Sequence, residues 1–105
     1  MTLRLFHNPR CSKSRAALRL LEQAGTEFEV VLYLETPPTR DELAVILERL
    51  ACEPSSLVRS GEALFAELGI ATERLDDSEF VADLLAEHPR LIERPLLVSD
   101  SSAVI

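Results

Sequence analysis

Cysteine is scarce in this chain: 105 residues hold two, Cys11 and Cys52. Two thiols without a secretory leader do not make a disulfide framework. The N-terminus lacks a charged stretch followed by a long apolar one, so no signal peptide is expected. No apolar run approaches ~18 residues, so no membrane span is expected. These absences point to a reducing, cytoplasmic setting in which a thiol stays free to react. Histidine is equally rare. Two His and two Cys at these spacings match no usual zinc pattern, so no metal and no bound cofactor is expected. Repeats, low-complexity tracts and linkers are missing too, and residues 1–105 read as one domain with a modest core. With 47% hydrophobic and 28% charged residues, the composition is that of a soluble globular protein. Nothing in the pattern marks a dimer seam, so a monomer is the default.

Acidic residues are absent from positions 1–20, which carry Arg4, Arg10, Lys13, Arg15 and Arg19. That segment is net +5 in a chain of net −7, so the remainder is −12. An acidic chain with one basic segment is a poor nucleic-acid binder, but it can gather a small anion in one place. Arg19 reads as a solvated position on a helix face.

The present elements follow from periodicity. Leu3 to His7 alternates as a first strand, which Asn8-Pro9 breaks. A helix runs from about Ser12 to Ala24, with Ala17, Leu18, Leu21 and Ala24 at helical spacing and Gly25 just past its end. Phe28 to Tyr33 is β-branched and aromatic, a second strand. Thr39 and Glu42 form a capping box ahead of Leu43, Ile46, Leu47 and Leu50, the stripe of an amphipathic helix. Pro54-Ser55-Ser56 opens a helical turn, and Glu62 to Leu68 is a short helix closed by Gly69. Ser78 caps a helix that buries Val81, Leu84 and Leu85, and Arg90-Leu91-Ile92 is extended. Pro95 to Val98 and Ala103 to Ile105 make a hairpin around Ser99-Asp100-Ser101-Ser102. The order predicts an α/β fold, a thioredoxin-like three-layer sandwich with a mixed sheet and a helical insertion.

The chemistry sits in His7-Asn8-Pro9-Arg10-Cys11-Ser12-Lys13-Ser14-Arg15. Cys11 falls where the first strand gives way to the first helix, among unpaired N–H groups at the positive end of the dipole. Both favour thiolate, the nucleophilic form. The same N–H groups and the nearby cations suit a tetrahedral oxyanion. Ser14 lies about one helical turn beyond Cys11, where its hydroxyl can reach the thiolate or the anion. Cys11 to Ser14 is C-x-x-S, so the segment holds no resolving cysteine, and an adduct on Cys11 needs an outside thiol. Ala17 stands where a C-x5-R phosphate loop would need arginine. Cys52, at the end of the second helix, reads as structural.

The segment around Cys11 resembles the glutaredoxin-linked ArsC family of arsenate reductases. So do Val31-Leu32-Tyr33-Leu34-Glu35-Thr36-Pro37-Pro38, Leu57-Val58-Arg59-Ser60-Gly61, Ala86-Glu87-His88-Pro89 and Ile92-Glu93-Arg94-Pro95, in family order across nearly the whole chain. The resemblance implies that Cys11 attacks arsenate and forms a thiol–arsenate adduct. Glutathione, as co-substrate, then attacks the arsenic, arsenite leaves, and glutaredoxin removes glutathione from Cys11. It implies that Arg59 and Arg94 hold the oxyanion, that His7 helps keep the thiolate low in pKa through the loop, with Asn8 in support, and that Pro95 is the family's cis-proline. The family continues past the last strand with a Gly-Arg-Pro segment, whose arginine is a third oxyanion ligand, and a final helix. The sequence ends at Ile105. The expectation is either a domain truncated there or a member without that arginine, the second leaving one face of the sheet less covered. Two alternatives stay open: an ArsC-like thiol oxidoreductase with another substrate, and a redox regulator resembling Spx that binds RNA polymerase. The latter would use C-x-x-C, and Ser14 stands where its second cysteine would be.

Overall fold

A computed structural model describes residues 3–105. Four short strands form one sheet in the order β2-β1-β3-β4. The strands are β1 (Arg4–Phe6), β2 (Glu29–Val31), β3 (Leu96–Val98) and β4 (Ala103–Val104). β1 pairs parallel with β2 and antiparallel with β3, and β3 pairs antiparallel with β4. The sheet is therefore mixed, as expected. The parallel β1–β2 pair requires a crossover, and α1 (Ser12–Gln23) supplies it.

Pleating sorts the side chains. Leu5 stands opposite Leu97, and Phe6 opposite Leu96, so adjacent residues serve opposite faces. Phe6, Leu96 and Val98 enter the main core with Leu43, Ile46 and Leu47 of α2 (Arg40–Arg49) and Val81, Leu84 and Leu85 of α4 (Ser78–Glu87). Leu5 and Leu97 turn to the other face, beside Ala17, Leu20 and Leu21 of α1. The result is helix, sheet, helix: the predicted three layers.

Local chemistry sets the helix ends. Thr39 accepts from the Glu42 N–H at 3.1 Å while the Glu42 carboxylate reaches back to the Thr39 N–H, so the capping box stands. At the end of α1, the Thr26 N–H bonds the Leu21 carbonyl and the Gly25 N–H bonds that of Glu22. This closing motif needs a left-handed residue, and Gly25 has φ 69°. Gly69 does the same after α3 (Ala63–Leu68), at φ 62°.

Five details differ from expectation. Asp77, not Ser78, caps α4, its carboxylate accepting from the Glu79 and Phe80 N–H groups; Ser78 is the first helical residue. β2 is shorter than the β-branched run, because the Leu32 carbonyl accepts from the Glu35 and Thr36 N–H groups and turns the chain. Pro89–Leu91 is a single 3-10 turn rather than extended, Pro89 supplying a preset φ at its start. A further 3-10 turn at Thr72–Asp76 buries Leu75. Cys52 is exposed. Leu50, two residues earlier, takes the last buried position of that segment, so Cys52 packs no core.

Candidate active site

The loop from β1 to α1 is built before any ligand arrives. The Cys11 N–H bonds the Asn8 carbonyl at 3.0 Å, and the Asn8 side-chain oxygen accepts from the Arg10 N–H at 3.0 Å. Arg15 ties the loop from α1 by donating to the Pro9 carbonyl at 2.8 Å. Cys11 sits at the N-cap of α1 with extended backbone, φ −95° and ψ 123°. An N-cap side chain faces the first free N–H groups of its helix. Here that side chain is a thiol.

Ser14 lies inward. It is fully buried, and its hydroxyl accepts from the Asn8 N–H at 3.0 Å and pairs with His7 Nδ1 at 2.7 Å. The hydroxyl expected at the thiolate or the anion is thus engaged with His7 and Asn8. The Ser14 backbone N–H is the group that acts on the sulfur. His7 is buried as well, and burial together with the nearby Arg15 charge lowers its pKa, against an opposing contribution from Ser14. The imidazole is braced on Ser14 within the loop that leads to Cys11, and the groups that shift the thiol are Arg94, Ser14 and Lys13 rather than His7.

The two arginines arrive from the far end of the chain. Val58 bridges antiparallel to Ile92, the Arg59 N–H bonds the Leu91 carbonyl at 2.7 Å, and the Glu93 N–H bonds the Leu57 carbonyl at 2.7 Å. This short pairing brings Arg59 and the Glu93-Arg94 pair together. The Arg94–Pro95 peptide is cis. Arg59 lies 3.7 Å from Glu62 and 3.6 Å from Glu93, at half-buried positions. Those are loose ion pairs, beyond hydrogen-bond length. Arg94 reaches Cys11.

Burial pushes the Cys11 thiol up, but the Arg94 guanidinium, the backbone N–H groups of Ser14 and Lys13 and the Arg94 charge outweigh it, so the net shift is downward. No N–H closes a full capping bond to the sulfur; the bias toward thiolate is therefore led by Arg94. Arg10, Lys13 and Arg15 are exposed around the same loop. A cavity of about 360 Å3 opens between Asn8, Arg10, Leu34, Glu62, Arg90 and Arg94. A half-buried thiol biased to thiolate, beside a guanidinium, can attack an anionic electrophile that the guanidinium neutralises. Among the described residues no group of three or more His, Cys, Asp and Glu is arranged to hold a metal, and no helix is long and apolar enough to cross a membrane.

The model of the ArsC family matches residues 6–105. This chain belongs to the ArsC family. It is 42% identical over 104 residues to the arsenate reductase of Neisseria meningitidis serogroup A, covering 98% of this chain and 88% of the relative. It is 38% identical over 95 residues to the arsenate reductase of Escherichia coli K12, covering 90% of this chain and 67% of the relative. The solved structure of arsenate reductase from Vibrio cholerae superimposes with a TM-score of 0.82 at 38% identity, covering 98% of this chain and 87% of that one. The fold is thioredoxin-like and the family's relatives are oxidoreductases by name.

Within this ArsC-family site, Cys11 and Arg94 lie close enough to shift each other's pKa, and Pro95 follows Arg94 across the cis peptide. The Val58–Ile92 bridge carries Arg59 toward Arg94, and His7, Asn8 and Ser14 form the loop's internal brace. Sequence reasoning passed over Tyr33, which it assigned to a strand. Tyr33 is fully buried yet lies within electrostatic reach of Arg94, Arg59 and Cys11. The signal available was the sole tyrosine of the chain, in the turn just past the strand that parallels β1.

Proposed function

We propose that the chain reduces arsenate to arsenite, with Cys11 as nucleophile and glutathione and glutaredoxin as the external reductants. The supporting observation is the Cys11–Arg94 pair: a thiol lowered in pKa chiefly by the guanidinium that would bind the oxyanion. The names of relatives at 38–42% identity agree.

In this reading, Arg59 and Arg94 bind arsenate, and the Cys11 thiolate attacks the arsenic while an oxygen leaves as water. A sulfur–arsenic(V) adduct forms. Glutathione attacks next, and the two sulfurs become a mixed disulfide on Cys11. The electron pair they give up reduces arsenic(V) to arsenic(III), which departs as arsenite. Glutaredoxin, drawing on a second glutathione, takes the glutathionyl group and restores the Cys11 thiol. Position 14 is serine, so the C-x-x-S segment supplies no resolving thiol of its own for that step. The reaction needs no bound cofactor, and the cytoplasmic glutathione pool would sustain it as a monomer.

The test is arsenite release from arsenate with glutathione, glutaredoxin and NADPH-coupled glutathione reductase, for wild type and Cys11→Ser. Turnover that requires glutaredoxin and vanishes in Cys11→Ser is expected. Absence of turnover in wild type, with Cys11 still reactive toward an alkylating probe, would sink arsenate as the substrate.

A further inference from the structure

Buried polar groups in folded proteins are nearly always paired. Among the described residues, three buried side-chain atoms have no hydrogen-bond partner: the Tyr33 hydroxyl, Arg59 Nη1 and Arg94 Nε. They come from three distant parts of the chain. Tyr33 follows β2, Arg59 precedes α3, and Arg94 precedes β3. The fold nevertheless gathers them. The Tyr33 phenol feels the charges of Arg94, Arg59 and Cys11. The Arg94 guanidinium lies near enough to the Tyr33 oxygen and the Cys11 sulfur to act on both, without closing a full hydrogen bond from Nε. The Tyr33 O–H proton is left without an acceptor.

Three orphans in three places would be three separate defects. Three orphans gathered about one phenol, itself within reach of the Cys11 sulfur, share one remedy. Two are N–H donors that no protein acceptor meets, and the Glu62 and Glu93 carboxylates stay 3.7 Å and 3.6 Å from Arg59 without closing a hydrogen bond. The third is a hydroxyl. One ligand rich in acceptor oxygens satisfies all of them, and a tetrahedral oxyanion has that many oxygens to offer.

We propose that the Tyr33 hydroxyl is a neutral third donor to the oxyanion, acting beside Arg59 and Arg94 and contacting the ligand directly. The proposal rests on reading this pocket as an oxyanion site, and it names a ligand contact that the family motifs did not supply. A phenol suits the task. Its depth in the core, with no exposed surface, fixes the ring, so the hydroxyl is aimed before the anion arrives. Burial raises its pKa, although Arg94 and Arg59 pull the other way. The proton therefore stays on oxygen at neutral pH, and the group donates. A neutral donor also adds no charge that would further lower the sulfur's nucleophilicity.

Tyr33→Phe removes only the hydroxyl. The experiment measures iodoacetamide alkylation of Cys11 in the whole chain against pH, without anion and with arsenate or sulfate as protectant, alongside arsenite turnover and the urea midpoint. The arsenate concentration giving half-protection is expected to rise roughly tenfold, the loss of one hydrogen bond to a charged ligand, with KM for arsenate rising in step. The alkylation midpoint without anion stays where it was, because the hydroxyl serves the anion and not the sulfur. The urea midpoint does not fall, because an unpartnered hydroxyl holds nothing together.

Unchanged protection overturns the proposal, as does a shift in the anion-free midpoint with protection intact. Failure of Tyr33→Phe to fold also overturns it, since that would give the hydroxyl a structural partner. If wild type turns over no arsenate but either anion still protects Cys11, and Tyr33→Phe weakens that protection, the arsenate reading falls and this one stands. If neither anion protects wild type, both fall.

Discussion

Toward α2 and α4 the sheet presents Phe6, Leu96 and Val98, and the helices answer with Leu43, Ile46, Val81 and Leu85, all buried. Toward α1 it presents Leu5 and Leu97, and α1 answers with Ala17, Leu18 and Leu21 half-buried and Leu20 at 67% exposure. Val104 and Ile105 are also exposed on the α1 side, at 59% and 41%. The only fully buried residue of α1 is the polar Ser14. One face of the sheet is a finished core, and the other carries the nucleophile. α1 is anchored at its first turn by hydrogen bonds to the loop and only partly along its apolar stripe. The densely packed side thus carries the stability and, through Tyr33, Val58 and Ile92, places the arginines, while the loosely packed α1 side carries the thiol, with β1 shared between them.

Truncating one leucine on each side gives the widest contrast. Leu85→Ala, at a position with no exposed surface, is expected to cost about 2–5 kcal/mol of unfolding free energy. Leu20→Ala is expected to stay within about 0.5 kcal/mol. Urea unfolding of both variants reads the difference directly. Equal losses would mean that the α1 face is packed in solution as tightly as the α2–α4 face.

Next in size is Ser14→Ala. Its hydroxyl satisfies both the Asn8 N–H and His7 Nδ1. Removing it strands two buried groups, at about 1–3 kcal/mol. Because the hydroxyl braces the loop, stability and the Cys11 alkylation rate should fall together. A rise in the half-protecting arsenate concentration with stability untouched would instead assign the hydroxyl to the substrate.

This brace also shows how far the sequence could be read. Cys11 at the start of a helix, the Thr39 box, the Gly25 and Gly69 stops and the stripe of Leu43, Ile46 and Leu47 all depend on neighbours within a few residues. Local pattern captured each of them. Asp77 took the cap from Ser78 because two adjacent residues both suit that role, and only the backbone decides between them. Leu32 left β2 because its carbonyl was needed in a turn, a competition hidden in a β-branched run. The direction of the Ser14 hydroxyl and the place of Tyr33 depend on partners brought by tertiary packing. Arg59 and Arg94 were named by family resemblance alone, since nothing local joins residues 35 positions apart. Their common location rests on the Val58–Ile92 bridge.

A smaller effect comes from pH. The folded pKa of His7 lies below the ordinary 6.5, chiefly through burial and then through Arg15. The unfolded chain therefore binds this proton more readily. Stability from this group is fully present above pH 6.5, and it is lost as pH falls through the folded value. The urea midpoint of wild type should drop between pH 7.5 and pH 5.5, and His7→Gln should flatten that drop. An unchanged slope in His7→Gln would assign the pH dependence to other groups.

The smallest expected effect has the opposite sign and falls on the nucleophile itself. Cys11 holds the N-cap of α1 in extended geometry, yet its side chain makes no capping hydrogen bond. Serine is among the preferred residues there, because its oxygen accepts from the free N–H groups of the first turn. Cys11→Ser should therefore leave stability unchanged or raise it by about 0.5–1 kcal/mol, while thiol reactivity is abolished. α1 is where such a gain would register, since its apolar stripe is only half-buried and its first turn carries much of its anchoring. A substitution that removes the chemistry and improves the helix would mark position 11 as one where function is kept at a cost in stability. The measurement is a paired urea titration of wild type and Cys11→Ser under reducing conditions. A clear loss of stability in Cys11→Ser would show that the sulfur, biased toward thiolate by Arg94 and the Ser14 and Lys13 N–H groups, already caps the helix better than a hydroxyl does.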